Sequence, residues 1–167
     1  MKANIFTYSI ELKNKICRLA ARLLGNEEDA KDVAQDVFEK VWKKQTKLQN
    51  VQNMDAISLK MAKDICFDRI RHQQVVRKHA QQTKHSNDIR SKVPNYAVKD
   101  LAQLAKKLIQ ELPEKQKIVI HLRDVEELEY KEIAEITELS VTAVRMNLSR
   151  ARKSIREKMQ KIIGHGL

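Results

Sequence analysis

Tyr130-Lys-Glu-Ile-Ala-Glu-Ile136, Thr137-Glu-Leu-Ser140 and Val141-Thr-Ala-Val-Arg-Met-Asn-Leu-Ser-Arg-Ala-Arg152 form the stretch whose reading decides the fold. Ile133, Ala134 and Ile136 give a short helix an apolar side, and Ala134 is small where a second helix must approach closely. Leu139 plugs the turn, and Ser140 can cap the second helix by accepting a backbone N–H bond. In that second helix Val141, Val144, Leu148, Ala151 and Ile155 share one face. At about 100° per residue, Thr142, Arg145, Met146, Ser149 and Lys153 then point away from the core. This pattern is a helix-turn-helix. A recognition helix lays its N-terminal side chains on base edges and its later basic residues on phosphates. Thr142, Ala143, Arg145 and Met146 are therefore the expected base readers, with Ser149, Arg150, Arg152 and Lys153 on phosphates.

Working back toward the N-terminus, Leu101, Leu104, Ala105 and Leu108 predict one helix. Pro113 stands at the expected start of another that carries Ile118, Val119 and Leu122. Residues 80–94 offer almost nothing to bury, and Pro94 breaks any helix, so the periodicity predicts a flexible linker there. Before it, Leu12, Ile16, Leu19, Ala20 and Leu23 predict a helix that stops at Gly25. Asn26 is the expected cap of the next helix, whose first turn holds Glu27, Glu28 and Asp29. Ala30, Val33, Ala34, Val37, Phe38, Val41 and Trp42 make a single apolar stripe along it. Gln45 to Asn53 reads as a loop, and Asp55 as the cap of a third long helix running from Ala56 past Arg71. The prediction is an all-α chain of two small helical domains, an N-terminal helical bundle and a C-terminal helix-turn-helix, joined by a flexible linker. The boundaries are 1–79, 80–99 and 100–167.

Composition agrees with that reading. Among 167 residues there are 3 glycines and 2 prolines, too few for collagen-like, propeller, jelly-roll or Rossmann-type architectures. At 42% hydrophobic, the chain can bury a core, and at 4% aromatic that core must be aliphatic. No apolar run exceeds three residues, so neither a membrane span nor a secretory leader is expected, and the reading is cytoplasmic. Cys17 and Cys66 are too few and too far apart for a zinc motif or a disulfide framework.

The net charge of +11 points to a polyanionic partner, nucleic acid first. Its distribution is uneven. Residues 27–39 carry a net −5, residues 60–79 a net +4 and residues 140–161 a net +6. One acidic helix and two separate basic segments need separate explanations. A catalytic reading finds little support: glycine-rich phosphate loops and nucleophile–base patterns are absent. Asp29, Asp32 and Asp36 have a spacing that could face a metal, but they sit on an exposed face with no partnering His or Glu motif. No enzyme, no cofactor and no metal are expected.

Two sets of residues carry a family resemblance. Glu28-Asp-Ala-Lys-Asp-Val-Ala-Gln-Asp-Val-Phe-Glu-Lys-Val-Trp42 resembles the polymerase-binding helix of bacterial sigma factors. Leu112-Pro-Glu-Lys-Gln-Lys117, Tyr130-Lys-Glu-Ile-Ala-Glu135 and Asn147-Leu-Ser-Arg-Ala-Arg152 are similar to their C-terminal domain. Having only a short linker between the two resembles the extracytoplasmic-function (ECF) group of the sigma-70 family.

The resemblance implies a division of labour. Asp32, Gln35, Asp36 and Glu39 would dock on the clamp helices of the largest subunit of core RNA polymerase, with apolar contact supplying much of the affinity. The loop 46–55 and the helix after it would open and hold the −10 promoter element. There Lys60, Lys63, Arg69 and Arg71 would hold the backbone of promoter DNA. The C-terminal helix would read the −35 element as duplex. An anti-sigma factor is a further implied partner. A linker of about 20 residues reaches at most ~70 Å, close to about 20 base pairs at ~3.4 Å each. Lys84, Arg90 and Lys92 in it could lie in an acidic channel. Two positions depart from the family pattern. Glu138 stands where the family often has Gly in the turn, so the turn must form without the residue that takes positive φ freely. Asp64 stands where the family usually has Asn, so it either accepts from a base amino group or points elsewhere. The competing reading is a helix-turn-helix regulator that acts without binding the polymerase core.

Overall fold

In a computed structural model the chain is all-α, and the structure describes residues 10–48, 50–81 and 98–164. The linker residues 82–97, with Lys84, Arg90, Lys92 and Pro94, lie outside the described residues. The N-terminal unit holds α1 (Ile10–Leu24), α2 (Glu27–Lys43), the short α3 (Gln45–Leu48) and the long α4 (Met54–Gln81). The C-terminal unit holds α5 (Val98–Gln110), α6 (Glu114–Asp124), α7 (Tyr130–Thr137) and α8 (Val141–Gly164).

Local chemistry sets most of these boundaries. Gly25 takes φ +73 to end α1, and Asn26 Oδ1 accepts from the amides of Glu28 (2.8 Å) and Asp29 (3.4 Å) to start α2. Three details differ from the sequence reading. The stretch after α2 is partly helical, as α3, because the chain continues turning for four residues past Lys44. The cap of α4 is Asn53, whose Oδ1 accepts from Ala56 N at 3.0 Å, so Asp55 lies within the helix instead of capping it. Pro113 is the residue before α6, not its first turn.

The two units also pack against each other. Ile16, Leu19, Val33, Val37, Leu59 and Cys66 of the first unit and Ile118, Leu122, Ile133, Val144 and Leu148 of the second form one continuous buried cluster. The units meet where α1 lies against α6 and α4 against α7. A clasp reinforces the first contact. Arg18 Nε and Nη2 donate to the two carboxylate oxygens of Glu126 at 2.8 and 2.6 Å, and the Glu126 side chain is 1% exposed. Burial pushes that carboxyl up, but Arg18 and the adjacent imidazole of His121 outweigh it and bring it down to about 2. His121 is itself buried, with Nε2 3.3 Å from the same carboxylate. Burial also pushes the thiol of Cys66 up to about 12, against the pull of Arg69.

Candidate nucleic-acid interface

The helix-turn-helix is α7 and α8. Ser140 Oγ accepts from Ala143 N at 3.1 Å, the cap expected for α8. Val144, Leu148 and Ala151 are buried, leaving Thr142, Arg145, Met146, Ser149, Arg150, Arg152 and Lys153 exposed and Ala143 half-buried. The eight candidate DNA residues thus lie along one open helix surface. Two of them are restrained by acids: the guanidinium of Arg152 is chelated by the Asp124 carboxylate, and Lys153 Nζ lies 3.8 Å from Glu157.

Arg145 has a neighbour that the sequence reading did not select. Its guanidinium carbon lies 5.0 Å from the ring centroid of Tyr130, and that of Arg123 lies 4.8 Å from the same ring. Arg123 also donates to Leu128 O at 2.8 Å, so the aromatic is fixed from the α6 side and offers Arg145 a platform. The signal was there: Tyr130 is an aromatic at the first position of α7 in a chain with few aromatics.

The second candidate basic surface, on α4, is not open in the same way. Lys63 is 4% exposed. Its Nζ donates to Glu138 Oε2 at 3.0 Å and lies 2.9 Å from Asp64 Oδ1, while Lys60 Nζ lies 2.9 Å from Glu138 Oε1. Asp64 therefore points its carboxylate at a lysine of its own helix. Glu138 is left-handed, φ 60 and ψ 28, and closes α7. Bonds from Lys60 and Lys63 hold its carboxyl below the usual range. Arg69 donates to Asp36 Oδ2 at 2.8 Å and so ties α4 to α2, and Arg71 pairs with Asp68 on the exposed face.

On α2, Asp32, Gln35 and Glu39 are exposed and Asp36 is half-buried by Arg69. The predicted apolar stripe divides. Ala30, Val33, Ala34, Val37 and Val41 are buried, but Phe38 and Trp42 remain 46% and 45% exposed. With Cys17, Ala21 and Ala34 they line a groove of about 1020 Å³ between α1 and α2, rimmed by Gln35 and Glu39. The i+4 spacing that put both aromatics on the stripe could not tell a core position from the stripe's edge.

Comparison with known proteins matches this geometry unit by unit. Residues 10–76 match the model for sigma-70 region 2, and residues 102–155 the model for sigma-70 region 4. The chain belongs to the sigma-70 family, whose region 2 and region 4 models together span most of it. It is 29% identical over 160 residues to the RNA polymerase sigma factor SigV of Bacillus subtilis, covering 96% of this chain and 93% of that one. It is 28% identical to the ECF sigma factor SigW of the same organism, covering 89% and 84%. The fold resembles that of the sigma factor RpoE of Bartonella quintana, solved in complex with the anti-sigma factor NepR. That match has TM-score 0.69 and 20% identity over 93% of each chain. As a sigma factor the protein is not an enzyme; it binds core RNA polymerase and directs promoter-specific transcription initiation. A regulator without polymerase binding is not favoured, because the region 2 match covers the N-terminal unit. Among the described residues no helix is long and apolar enough to cross a membrane.

Proposed function

We propose that residues 1–79 bind the polymerase and the −10 element, that 80–99 tether, and that 100–167 read the −35 element. The open face of α2 supports the first assignment. Gln35 and Glu39 rim a groove whose apolar walls include Phe38 and Trp42, with Asp32 exposed on the same helix, and aromatic anchors inside a polar rim are the usual build of a protein-docking surface. Asp36 completes that acidic face while bonded to Arg69. On α8, Thr142, Ala143, Arg145 and Met146 face base edges, with Ser149, Arg150, Arg152 and Lys153 on phosphates. Lys60, Lys63, Asp64, Arg69 and Arg71 serve the −10 strand. The protein acts in the cytoplasm, and an anti-sigma factor is its expected inhibitor.

The observation that carries this reading is the segregation of the two surfaces: an aromatic-walled groove on α1–α2 beside the exposed Asp32 and Glu39 of α2, and a basic, solvent-facing α8. In vitro transcription with core polymerase on a genomic fragment library tests it. Start sites that require this protein are expected. Phe38→Ala with Trp42→Ala should abolish them while leaving the fold intact, and their persistence in that variant would remove the groove from the polymerase interface.

A further inference from the structure

Glu138 is unusual twice over. It is a non-glycine residue in the left-handed region, at a turn where a glycine would be unstrained. Its carboxylate also crosses between the units to bridge two ammonium groups, Lys60 at 2.9 Å and Lys63 at 3.0 Å. One side chain in a disfavoured backbone conformation thus pairs with two cations assigned above to promoter DNA, one of which, Lys63, also pairs with Asp64. Two carboxylate oxygens on two lysines reproduce the contact that a backbone phosphate would make with them.

We propose that Glu138 is an internal latch: it occupies the phosphate-binding lysines of α4 with the turn of the helix-turn-helix, so that the closed arrangement of the two units and binding of the −10 strand exclude one another. The turn and α4 must part before Lys60 and Lys63 can take a phosphate. A Gly in this turn would make the conformation easier, freeing Lys60 and leaving Lys63 with Asp64 alone, so the acid trades local backbone comfort for a cross-unit contact. The inference rests on the assignment of Lys60 and Lys63 to DNA only for its second half; the latch itself concerns the free chain.

The test uses the full chain in two assays. Small-angle scattering of the wild type should give a radius of gyration near ~15 Å, that of a compact chain of this length. Glu138→Lys places a third cation beside Lys60 and Lys63, and Glu138→Gly removes the charge while relaxing the backbone. Both should raise the radius toward ~20 Å or more as the units separate. Adding Lys60→Glu and Lys63→Glu to Glu138→Lys should restore compactness, which guards against loss by misfolding. Unchanged scattering in Glu138→Lys and Glu138→Gly overturns the latch, whatever the chain does in transcription. With core polymerase, Glu138→Gly should raise transcript yield at limiting protein by at least about threefold. Opening without any gain overturns the exclusion between closure and promoter binding. Opening with no transcript from any form, wild type included, leaves the latch in place and removes the functional assignment beneath it.

Discussion

The basic residues of α4 and α8 carry charge of the same sign but are engaged to different degrees. On α4, Lys60 and Lys63 are held by Glu138, Arg69 by Asp36 and Arg71 by Asp68. On α8, Arg145 stacks on Tyr130, and among the described residues Arg150 makes no ion pair. On α4 each of these cations is engaged by an acid, while α8 pairs Arg152 and Lys153 but displays Arg145 and Arg150. Net charge by segment shows where cations are, but only the structure shows which of them another element already occupies.

The contrast can be tested from its strongest expected effect downward. Arg145→Ala should relax preference at a single base pair of the upstream element by about 1–3 kcal/mol, roughly 5- to 150-fold. Selection from a randomised duplex library by the holoenzyme would measure it, and a uniform loss across all positions would mark Arg145 as a phosphate contact instead.

The arrangement that covers α4 also leans on the Arg18–Glu126 clasp. Glu126 titrates near 2 in the folded protein, below the ordinary value near ~4.3. A depressed carboxyl contributes its full stability above the ordinary value and loses it as pH falls toward the folded one. Glu126→Gln should therefore lower stability at pH 7 by on the order of 2 kcal/mol, a figure kept below the full shift because Arg18 is half exposed. Thermal unfolding of the two proteins should differ most above about pH 4.5 and converge on acidification toward pH 2. A gap independent of pH would assign the effect to packing.

Tyr130→Leu should cost Arg145 about 0.5–1 kcal/mol of its discrimination at the same base pair, whereas Tyr130→Phe, which keeps the ring, should not. Equal loss in both would transfer the role to the phenolic hydroxyl. Arg71→Ala should have the smallest effect on the free protein. Its pair with Asp68 is exposed and three residues apart, so the unfolding midpoint should move by less than about 0.5 kcal/mol in stability terms. A larger change would mean that α4 depends on its surface pairs for structure.

Much of the fold is legible because it is local. The caps at Asn26 and Ser140, the stop at Gly25 and the buried spacing of Val144, Leu148 and Ala151 all follow from residues within a turn or two of each other. What escaped is non-local or marginal. Glu138 and Lys63 are 75 residues apart, and Arg18 and Glu126 are 108 apart, so no periodicity links them. Phe38 and Trp42 fit an apolar stripe perfectly well and still sit at its rim, because the neighbouring α1 ends the core before reaching them. The acids and Gln35 point to the candidate polymerase face from sequence alone, whereas helical spacing places Phe38 and Trp42 in the interior. Asn53 displaced Asp55 as the cap because both are good acceptors two residues apart, and sequence alone does not rank them.

The two cysteines respond to oxidants and alkylating agents in different ways. Cys66, with its proton held to about pH 12 in a sealed interior, supplies almost no thiolate and is closed to electrophiles while the fold lasts. Cys17 lies in the wall of the α1–α2 groove. On the docking role proposed for this groove, a maleimide attached there would act as a plug that blocks polymerase binding and leaves the α8 surface open.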